Sequence, residues 1–188
     1  MATPSLALYK PPLTLVLGGM TELPEQFVCG SCGETHNLGD MELGYSLPDE
    51  YFELSELDRF KRGKANSDFC LLDDRCFVRG VVPIPIEGRN SSYNWGVWAE
   101  VSQSDFQIIF DTWLEDDVTQ LQPIEAVLAN TIPEYKECSR AKLKLILKSD
   151  TRPLFYCIGA GRLAQEQEHG INITDLVRYA HQEWSDPS

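Results

Sequence analysis

The amino-acid sequence predicts an α+β fold, a single domain with a mainly antiparallel sheet and flanking helices. Two observations lead to this prediction. Strand-like segments follow one another through short connections, without the regular alternation of strand and helix that builds a parallel sheet. The 188 residues are 43 % hydrophobic and 24 % charged, which is the composition of a globular protein and not of a disordered chain.

Residues 1–26 are expected to be an N-terminal extension, and residues 27–188 to form the domain. The extension is rich in proline, glycine and small residues. Its apolar run, residues 13–17, is shorter than the apolar core of a signal peptide and follows a single cation, Lys10. No segment approaches the ~18 apolar residues of a membrane span. We therefore expect a cytoplasmic protein that does not associate with a membrane.

Short elements are predicted in the first third of the domain. Residues 26–28 can form a strand, and one or two short helices are expected between residues 37 and 67. Pro48 and Ser55 are helix-start signals, because each precedes acidic residues that suit a first helical turn. Gly63 is expected to end the second helix.

Residues 69–72 and 76–86 are predicted as two strands joined by an aspartate turn. Along 76–86 the even-numbered positions form the apolar face: Val78, Gly80, Val82, Ile84 and Ile86. Pro83 and Pro85 cannot donate hydrogen bonds to a ladder. The later half of this strand is therefore predicted to lie at a sheet edge or to end early.

Three further strands are predicted, over residues 93–101, 143–147 and 154–158. Leucines alternate with lysines in the second of them, which is typical of a half-buried strand. A turn that contains Pro153 separates the second from the third, so these two are expected to pair as a hairpin.

A helix is predicted over residues 105–115, with Ser102 and Ser104 as candidate N-caps. Its apolar residues are spaced as a stripe that faces the core: Phe106, Ile109, Phe110, Trp113 and Leu114. We expect this helix to pack through Phe110 and Trp113. A second helix is predicted over 162–169, and Thr174 is expected to cap a last one. The inward positions of that last helix are Leu176, Val177, Ala180 and Trp184.

The most specific local motif lies in residues 29–36. Cys29 and Cys32 stand two residues apart beside glycines, which can direct both thiolates at one zinc ion, and His36 can be a third ligand. Two other interpretations remain open. The cysteines can be ordinary thiols in a turn, or they can be a redox dithiol.

The fourth zinc ligand would be Cys70 or Cys76. A two-residue turn at Asp73-Asp74 pairs residue 70 with 77 and residue 71 with 76. Cys70 and Cys76 then lie on opposite faces of the sheet, so both cannot serve one ion. We expect Cys70 to complete the site with the three residues of the motif.

Trp98 lies on the less apolar face of the strand 93–101. The odd-numbered residues from 95 to 101 form its apolar face, whereas Trp98 stands between Gly96 and Glu100. An exposed tryptophan beside a glycine is typical of a binding pocket or a protein–protein hot spot. The alternative is that Trp98 packs under a loop or a helix.

The net charge narrows the expected partners. The chain has 16 Lys and Arg against 29 Asp and Glu, which leaves a formal charge of −13. Because there is no basic excess to neutralise phosphates, nucleic acid is not an expected partner. A basic protein such as a toxin suits this charge. The motifs of serine hydrolases and zinc proteases do not occur, and Gly159 and Gly161 lack the other residues of a phosphate-binding turn.

Five motifs follow one another along the chain: CGSCGETH, SDFCLLDDRCFVRGVVPIPI, YNWGVWAEVSQSDF, LANTIPEY and LAQEQEHGI. In this order they resemble a bacterial family known only as a domain of unknown function, number 2199. The resemblance covers about residues 27–180 and implies no established activity. It implies that a set of positions recurs in the family: Cys29, Cys32, His36, Asp68, Cys70, Arg79, Trp95, Trp98, Glu166 and Gln167.

The chain departs from the family pattern at two places. Gly161-Arg162 stands where the family usually has a His-Pro pair, and residues 126–128 stand where it has Gly-Trp-Leu. If that histidine carries chemistry in the family, this chain lacks it.

Two functions of different classes are compatible with these features. The first is a non-enzymatic protein-binding domain of immunity or antitoxin type, with a structural zinc knuckle. Its candidate binding residues are Trp98, Arg79, Glu166 and Gln167. The alternative is a zinc-dependent enzyme of unrecognised class, in which Glu166 works with a zinc or cysteine centre and a zinc-bound water is the nucleophile.

Overall fold

The structure is built mainly from β-strands. The computed structural model describes residues 26–28, 35–37, 42–115, 117–118, 120–149, 151–172, 174–176 and 179. The strands are β1 (Gln26–Val28), β2 (Thr35–Asn37), β3 (Glu42–Gly44), β4 (Gly63–Ala65), β5 (Phe69–Leu72), β6 (Arg75–Pro85), β7 (Ser92–Val101), β8 (Ile124–Leu128), β9 (Lys142–Lys148) and β10 (Thr151–Cys157). The helices are α1 (Asp49–Phe52), α2 (Glu56–Arg62), α3 (Gln103–Thr112) and α4 (Arg162–His169), with a 3₁₀ segment at Pro133–Cys138.

Five of these strands close into a barrel. β6 pairs antiparallel with β7 along almost its whole length, and the antiparallel ladder continues through β8 and β9 to β10. A parallel contact between Leu154 of β10 and Val81 of β6 closes the circle. The predicted fold class, a single α+β domain with a mainly antiparallel sheet and flanking helices, is confirmed.

Short strands extend the barrel. β5 pairs with the first half of β6, β4 lies outside β5 as the last strand of the sheet, and β3 runs parallel to β7. β1, predicted from the sequence, pairs with β2 in a separate two-stranded sheet. The sequence does not predict β2, β3, β4 or β8. The first three are only three residues long, and β8 contains Glu125 and Ala126, which are weak strand formers.

Alternating side chains of β6 and β7 fill the barrel. The apolar faces predicted for both strands point inward, and their larger side chains are buried there: Val78, Val82, Ile84, Tyr93, Trp95 and Val97. Gly80 occupies a special position on this face. A Cβ there would lie 2.6 Å from the ring of Phe155 and 2.7 Å from the carbonyl oxygen of Pro153. Glycine therefore allows β10 to approach β6 closely.

A second buried group, the outer cluster, lies on the outside of β5, β6 and β7. Its members are Tyr51, Cys70, Leu72, Phe77, Trp98 and Ala129. The predicted register of the β5–β6 hairpin is confirmed, since Cys70 pairs with Phe77 and Leu71 pairs with Cys76. Cys70 lies in the outer cluster and Cys76 lies in the barrel core, on opposite faces as expected.

Pro83 and Pro85 lie at an edge of β6, but the strand does not end early. β6 remains paired with β7 as far as Pro85. On its other side, the pairing with β10 is at Val81. Past that point the carbonyl of Pro83 accepts a hydrogen bond from the side chain of Gln167 at 3.2 Å, and that of Pro85 accepts one from the N–H of Ile171 at 2.8 Å.

Two of the predicted N-caps are present. The hydroxyl of Ser55 accepts a hydrogen bond from the N–H of Asp58 at 3.2 Å, and that of Ser102 accepts one from the N–H of Asp105 at 3.1 Å. Because Ser102 is the cap, α3 begins two residues before the predicted start at 105 and ends before 115.

The C-terminal helices agree in part with the prediction. α4 has the predicted bounds, with Gly170 as its C-cap. In the next helical segment Asn172, not Thr174, is the cap, because the Oδ1 of Asn172 accepts a hydrogen bond from the N–H of Asp175 at 2.9 Å. Leu176 is buried, as expected. Three other predicted inward positions lie outside the described residues: Val177, Ala180 and Trp184.

The sequence also predicts that the protein has no membrane-spanning segment and that it has an N-terminal extension. Among the described residues, every helix is too short or too polar to cross a membrane. The predicted extension, residues 1–26, lies outside the described residues except for Gln26.

Candidate functional site

An open groove lies between the β4–β5 hairpin and α3. Its volume is about 360 Å³. Lys64 of β4 pairs with Leu71 of β5, so both side chains lie on the hairpin face that borders the groove. Phe106 and Phe110 of α3 form the opposite wall. We call this the α3 groove, and its lining includes Lys64, Asn66, Phe69, Leu71, Phe106 and Phe110.

Phe69 attaches α3 to the hairpin. Its ring centroid lies 5.5 Å from that of Phe106, 5.4 Å from that of Phe110 and 4.6 Å from that of Trp113. All three contacts are edge-to-face, a geometry that contributes about 0.5–1.5 kcal/mol per pair beyond the burial of area. The floor of the α3 groove is therefore a firmly packed aromatic surface.

The prediction that the whole apolar stripe of α3 faces the core is wrong. Ile109 is fully buried and Phe106 and Trp113 are half-buried, but Phe110 is 56 % exposed and Leu114 is 92 % exposed. The physical reason is the width of the surface beneath the helix. β5 has four residues and only two of them point toward α3, so the hairpin covers part of the stripe and leaves the rest open.

Acidic side chains border the exposed part of α3. Asp111 follows Phe110 and Glu115 follows Leu114, and all four residues are exposed. The amide of Gln107 donates a hydrogen bond to Asp111 at 2.7 Å. Lys64 adds a positive charge on the hairpin wall. The α3 groove thus has an apolar floor, a negatively charged helix side and a cation on its opposite wall.

Trp98 is fully buried, so its interpretation as an exposed hot spot is wrong. Its indole N–H donates to the carbonyl of Tyr45 at 3.1 Å, and Tyr51 of α1 packs in the same outer cluster. Asn130 accepts a hydrogen bond from the backbone N–H of Trp98 at 2.7 Å and donates one to the carbonyl of Leu47 at 2.9 Å. The alternative interpretation, packing under a loop and a helix, agrees with these contacts.

Arg79 lies beside Trp98 on the outer face of β6. Its backbone N–H donates to the carbonyl of Asp68 at 2.8 Å, and a Cβ on Gly44 of β3 would lie 2.9 Å from its guanidinium. The carboxylate of Asp68 pairs with Arg152 at 2.8 Å. Although burial opposes it, hydrogen bonding and the nearby positive charges of both arginines hold the pKa of Asp68 below its ordinary value. Arg79 therefore belongs to a packed charge cluster between β3, β5 and β10.

Glu166 is the centre of a polar cluster that joins α4 to the 3₁₀ segment. Its carboxylate accepts hydrogen bonds from the hydroxyl of Tyr135, from that of Tyr179 at 3.2 Å, and from the guanidinium of Arg162 at 2.7 Å. The Arg162 guanidinium also lies over the rings of both tyrosines. Burial, together with the charge of Glu166, raises the pKa of Tyr135. Both oxygens of Glu166 are thus engaged, and its carboxylate serves as an anchor for the helix.

Gln167 uses its whole amide to join two strands. Its Oε1 accepts a hydrogen bond from the N–H of Cys157 at 2.7 Å. Its Nε2 donates to the carbonyls of Phe155 at 2.9 Å and of Pro83 at 3.2 Å. The side chain lies between β10 and β6 at the point where their pairing ends. Among the predicted binding residues, Gln167 and Glu166 share α4, whereas Arg79 and Trp98 form a separate pair on β6 and β7.

The residues of the predicted zinc site are only partly described. Cys29 and Cys32 lie outside the described residues, and His36 lies in β2 opposite Phe27. Cys70 is fully buried in the outer cluster, where burial raises the pKa of its thiol to about 12. Within the described ranges, no group of three His, Cys, Asp or Glu side chains is arranged to hold a metal ion. The zinc site stays a prediction.

The motifs of the sequence do not predict the α3 groove. It can be identified by comparing the width of the apolar stripe of α3 with the width of the apolar surface beneath it. The stripe of α3 contains five apolar residues, whereas a strand of four residues offers two to one face. A stripe wider than the surface beneath it leaves apolar side chains uncovered, and such patches mark interaction sites. Phe110 and Leu114 are the residues that this comparison selects.

Comparison with known proteins identifies a family. No curated protein and no solved structure matches the chain significantly. Residues 28–171 match the model of a family described as "Uncharacterized protein conserved in bacteria (DUF2199)". The matched span contains the barrel, α3, α4 and both walls of the α3 groove. The chain therefore belongs to this family of uncharacterised bacterial proteins.

Proposed function

We propose that the protein is a non-enzymatic binding domain that holds a basic protein partner, as an immunity protein or antitoxin holds a toxin. The partner would insert an apolar side chain into the α3 groove. The observation that carries this proposal is the uncovered aromatic lining of the groove, with Phe110 56 % exposed. Aromatic residues in such positions are common anchors of protein interfaces.

The size of the α3 groove supports a side-chain anchor. Its volume of about 360 Å³ is near the lower end of the range for ligand sites, roughly 300–1,000 Å³. A space of this size suits one or two bulky apolar side chains. Leu114, which is exposed two residues after the last residue of α3, adds apolar surface beyond the C-terminal end of the helix.

The charge of the molecule supports a basic partner. The net charge is −13, and Asp111 and Glu115 lie next to the exposed stripe. Opposite charge around an apolar anchor raises the rate of association and selects against acidic partners. Lysine or arginine residues of the partner near the inserted side chain would therefore be attracted to the acidic side of the groove.

A structural zinc ion is the second part of the proposal. Cys29, Cys32 and His36 have the spacing of a zinc knuckle, and a site of this kind fixes a loop that lacks a large apolar core. Cys70 would be the fourth ligand only if the ion stabilises its thiolate, because zinc binds the deprotonated form.

A selection with random peptides tests the binding function. The probe is a library of octapeptides displayed as mRNA fusions and selected on the purified full chain. We expect enrichment of peptides in which a bulky apolar residue is flanked by Lys or Arg. The variant Phe110→Ala should weaken the best peptide about tenfold or more, as hot-spot truncations do.

Ile108→Ala is the matched control, because Ile108 is an exposed apolar residue, 44 % accessible, on another side of α3. Its affinity for the same peptide should stay within about twofold of the wild-type value. Enrichment of acidic peptides, or equal binding by Phe110→Ala, would contradict the proposal.

A further inference from the structure

We infer that the partner binds as an extended segment that adds a β-strand to the free edge of β4. This inference rests on the proposed function and specifies how the α3 groove is used. A groove between an edge strand and a helix suits this mode of recognition, because the strand supplies backbone hydrogen bonds and the helix supplies side-chain pockets. β4 and α3 stand in this relation here.

β4 is an edge strand. It is the last strand in the order of the large sheet, and β5 is its neighbour on one side. No strand of the described ranges pairs with its other side. Lys64 and Ala65 are exposed, and both line the α3 groove together with Asn66. The groove therefore covers one face of the β4–β5 hairpin and reaches β4, the strand at the edge.

The hydrogen-bond pattern of the hairpin determines which groups of β4 face outward. The N–H of Asn66 donates to the carbonyl of Phe69 at 2.9 Å, and the N–H of Asp73 donates to the carbonyl of Arg62 at 2.8 Å. In an antiparallel pair such contacts recur at every second residue, so the peptide groups of Lys64 also face β5.

The peptide groups of Gly63 and Ala65 consequently point away from β5. The N–H of Gly63 is already bonded to the carbonyl of Arg59 at the end of α2. The carbonyl of Gly63 and both polar groups of Ala65 are left for an added strand. A residue opposite Ala65 would exchange two hydrogen bonds with it in an antiparallel arrangement.

Strand geometry then defines the side chains that the partner needs. Side chains of a strand alternate between its faces, and neighbouring strands lie about 4.8 Å apart. The partner residues on either side of the one that pairs with Ala65 would share the face of Lys64 and Asn66, beside Phe106 and Phe110. We therefore expect apolar residues at two positions separated by one residue.

The observations favour another protein over a second copy of this chain. Each copy carries a charge of −13, so association of two copies is opposed by repulsion. Pairing of two β4 edges would also bring the Lys64 residues of both copies together, a device by which edge strands avoid self-association. A basic segment is not repelled by the net charge, and it avoids the second obstacle if its residues beside Lys64 are apolar and its basic residues lie toward Asp111 and Glu115.

An N-methyl scan of the best selected octapeptide tests the added strand. Each backbone N–H is methylated in turn, and the affinity is measured by fluorescence anisotropy with the full chain. We expect losses of about tenfold or more at two positions separated by one residue, because the carbonyls of Gly63 and Ala65 each accept one N–H of the added strand. Equal losses at all positions, or a pattern with helical spacing, would overturn the inference.

A substitution on β4 provides the second arm. Ala65→Pro removes the N–H that the partner needs, and proline is compatible with an edge strand. We expect it to abolish peptide binding, whereas Ala65→Ser keeps the N–H and should bind normally. Melting curves of both variants report whether they fold. If Ala65→Pro does not fold, the N-methyl scan alone tests whether the peptide adds a strand to β4.

Two results would assign the edge to another occupant and overturn the inference. Slow hydrogen exchange at the Ala65 amide in the free monomer would mean that the chain covers its own edge. A dimer that Ala65→Pro converts to a monomer would mean that a second copy covers it. Failure of the proposed function is distinguishable, because no peptide would then bind in a Phe110-dependent way.

Discussion

The side chain of Gln167 replaces backbone hydrogen bonds between β6 and β10. The parallel contact between β6 and β10 is limited, and the proline at position 83 offers a carbonyl but no N–H. A side-chain amide carries the same donor and acceptor groups as a peptide bond. Gln167 therefore binds both strands at once and attaches α4 to the barrel.

We predict that Gln167→Ala lowers the free energy of unfolding by about 2–3 kcal/mol, because three backbone groups lose their partner. Gln165→Ala is the matched control on the exposed side of α4 and should change stability by about 0.5 kcal/mol or less. Chemical denaturation measures both. Equal effects of the two substitutions would contradict the role assigned to Gln167.

Glu100 is the centre of an ion-pair network on the outside of the barrel. It accepts hydrogen bonds from Arg75 and Arg140, each at 2.7 Å, and Arg75 also pairs with Glu50 of α1. The hydrogen bond from Arg75 is the main reason why the pKa of Glu100 falls from its ordinary value of 4.5 to about 2. The network connects α1 to β6 and β7.

Stability should consequently depend on the ionisation of Glu100. A carboxyl group whose pKa is lowered by folding stabilises the protein above its unfolded pKa, and this contribution is lost as the pH falls through the folded pKa. We expect Glu100→Gln to lower the free energy of unfolding by about 1–2 kcal/mol at neutral pH, allowing for the partial exposure of the arginines.

The difference between the wild type and Glu100→Gln should shrink as the pH falls from about 4.5 to about 2. Urea denaturation at several pH values measures it. Glu125→Gln, at an exposed position of β8, should show no such trend. A Glu100→Gln effect that stays constant over this range would contradict the assignment.

At the scale of elements, sequence periodicity predicts the buried faces of strands better than it predicts which apolar side chains of a helix are buried. The alternation in β6 and β7 defines their inner faces correctly, and the aspartate turn defines the register of β5. These are local rules. The exposure of Phe110 depends instead on the width of the hairpin beneath α3, which is a tertiary property. The same reason applies to Trp98, because the loop that buries it is distant in sequence.

The sequence predicts only some of the candidate site residues. The resemblance predicts Glu166 and Gln167 as binding residues, but in the structure their polar atoms bond to other parts of the same chain. Local patterns do not reveal whether a polar side chain faces a partner or its own backbone. The groove residues carry no motif, since phenylalanine on a helix is also a common core residue.

The zinc knuckle belongs to this scale, because it would join the loop at residues 29–36 to the barrel. We predict that protein purified without nickel resin contains about one zinc ion per chain. Cys32→Ser and a chelator should each lower the melting temperature, since a structural site contributes folding energy. Cys157→Ser should not lower the melting temperature by loss of metal, because Cys157 is not a predicted zinc ligand. Protein without zinc, with an unchanged melting temperature for Cys32→Ser, would contradict this prediction.

At the scale of the whole molecule, the charge of −13 should make partner binding sensitive to salt. We predict that the affinity for the best selected peptide falls about tenfold between 50 and 500 mM NaCl, because salt screens attraction between exposed charges. Fluorescence anisotropy measures this change. A control peptide with Lys and Arg replaced by Gln should show little dependence, and equal slopes for both peptides would contradict an electrostatic contribution.

The closure of the barrel also has a consequence for the order of synthesis. β6 and β7 are made early, but β10 must return to β6 and Gln167 must then bridge them. Contacts between segments so far apart in the chain form late and slowly. Until β10 and α4 are available to close the barrel, the incomplete chain would expose an open, apolar sheet. Such a surface makes a folding intermediate prone to aggregation.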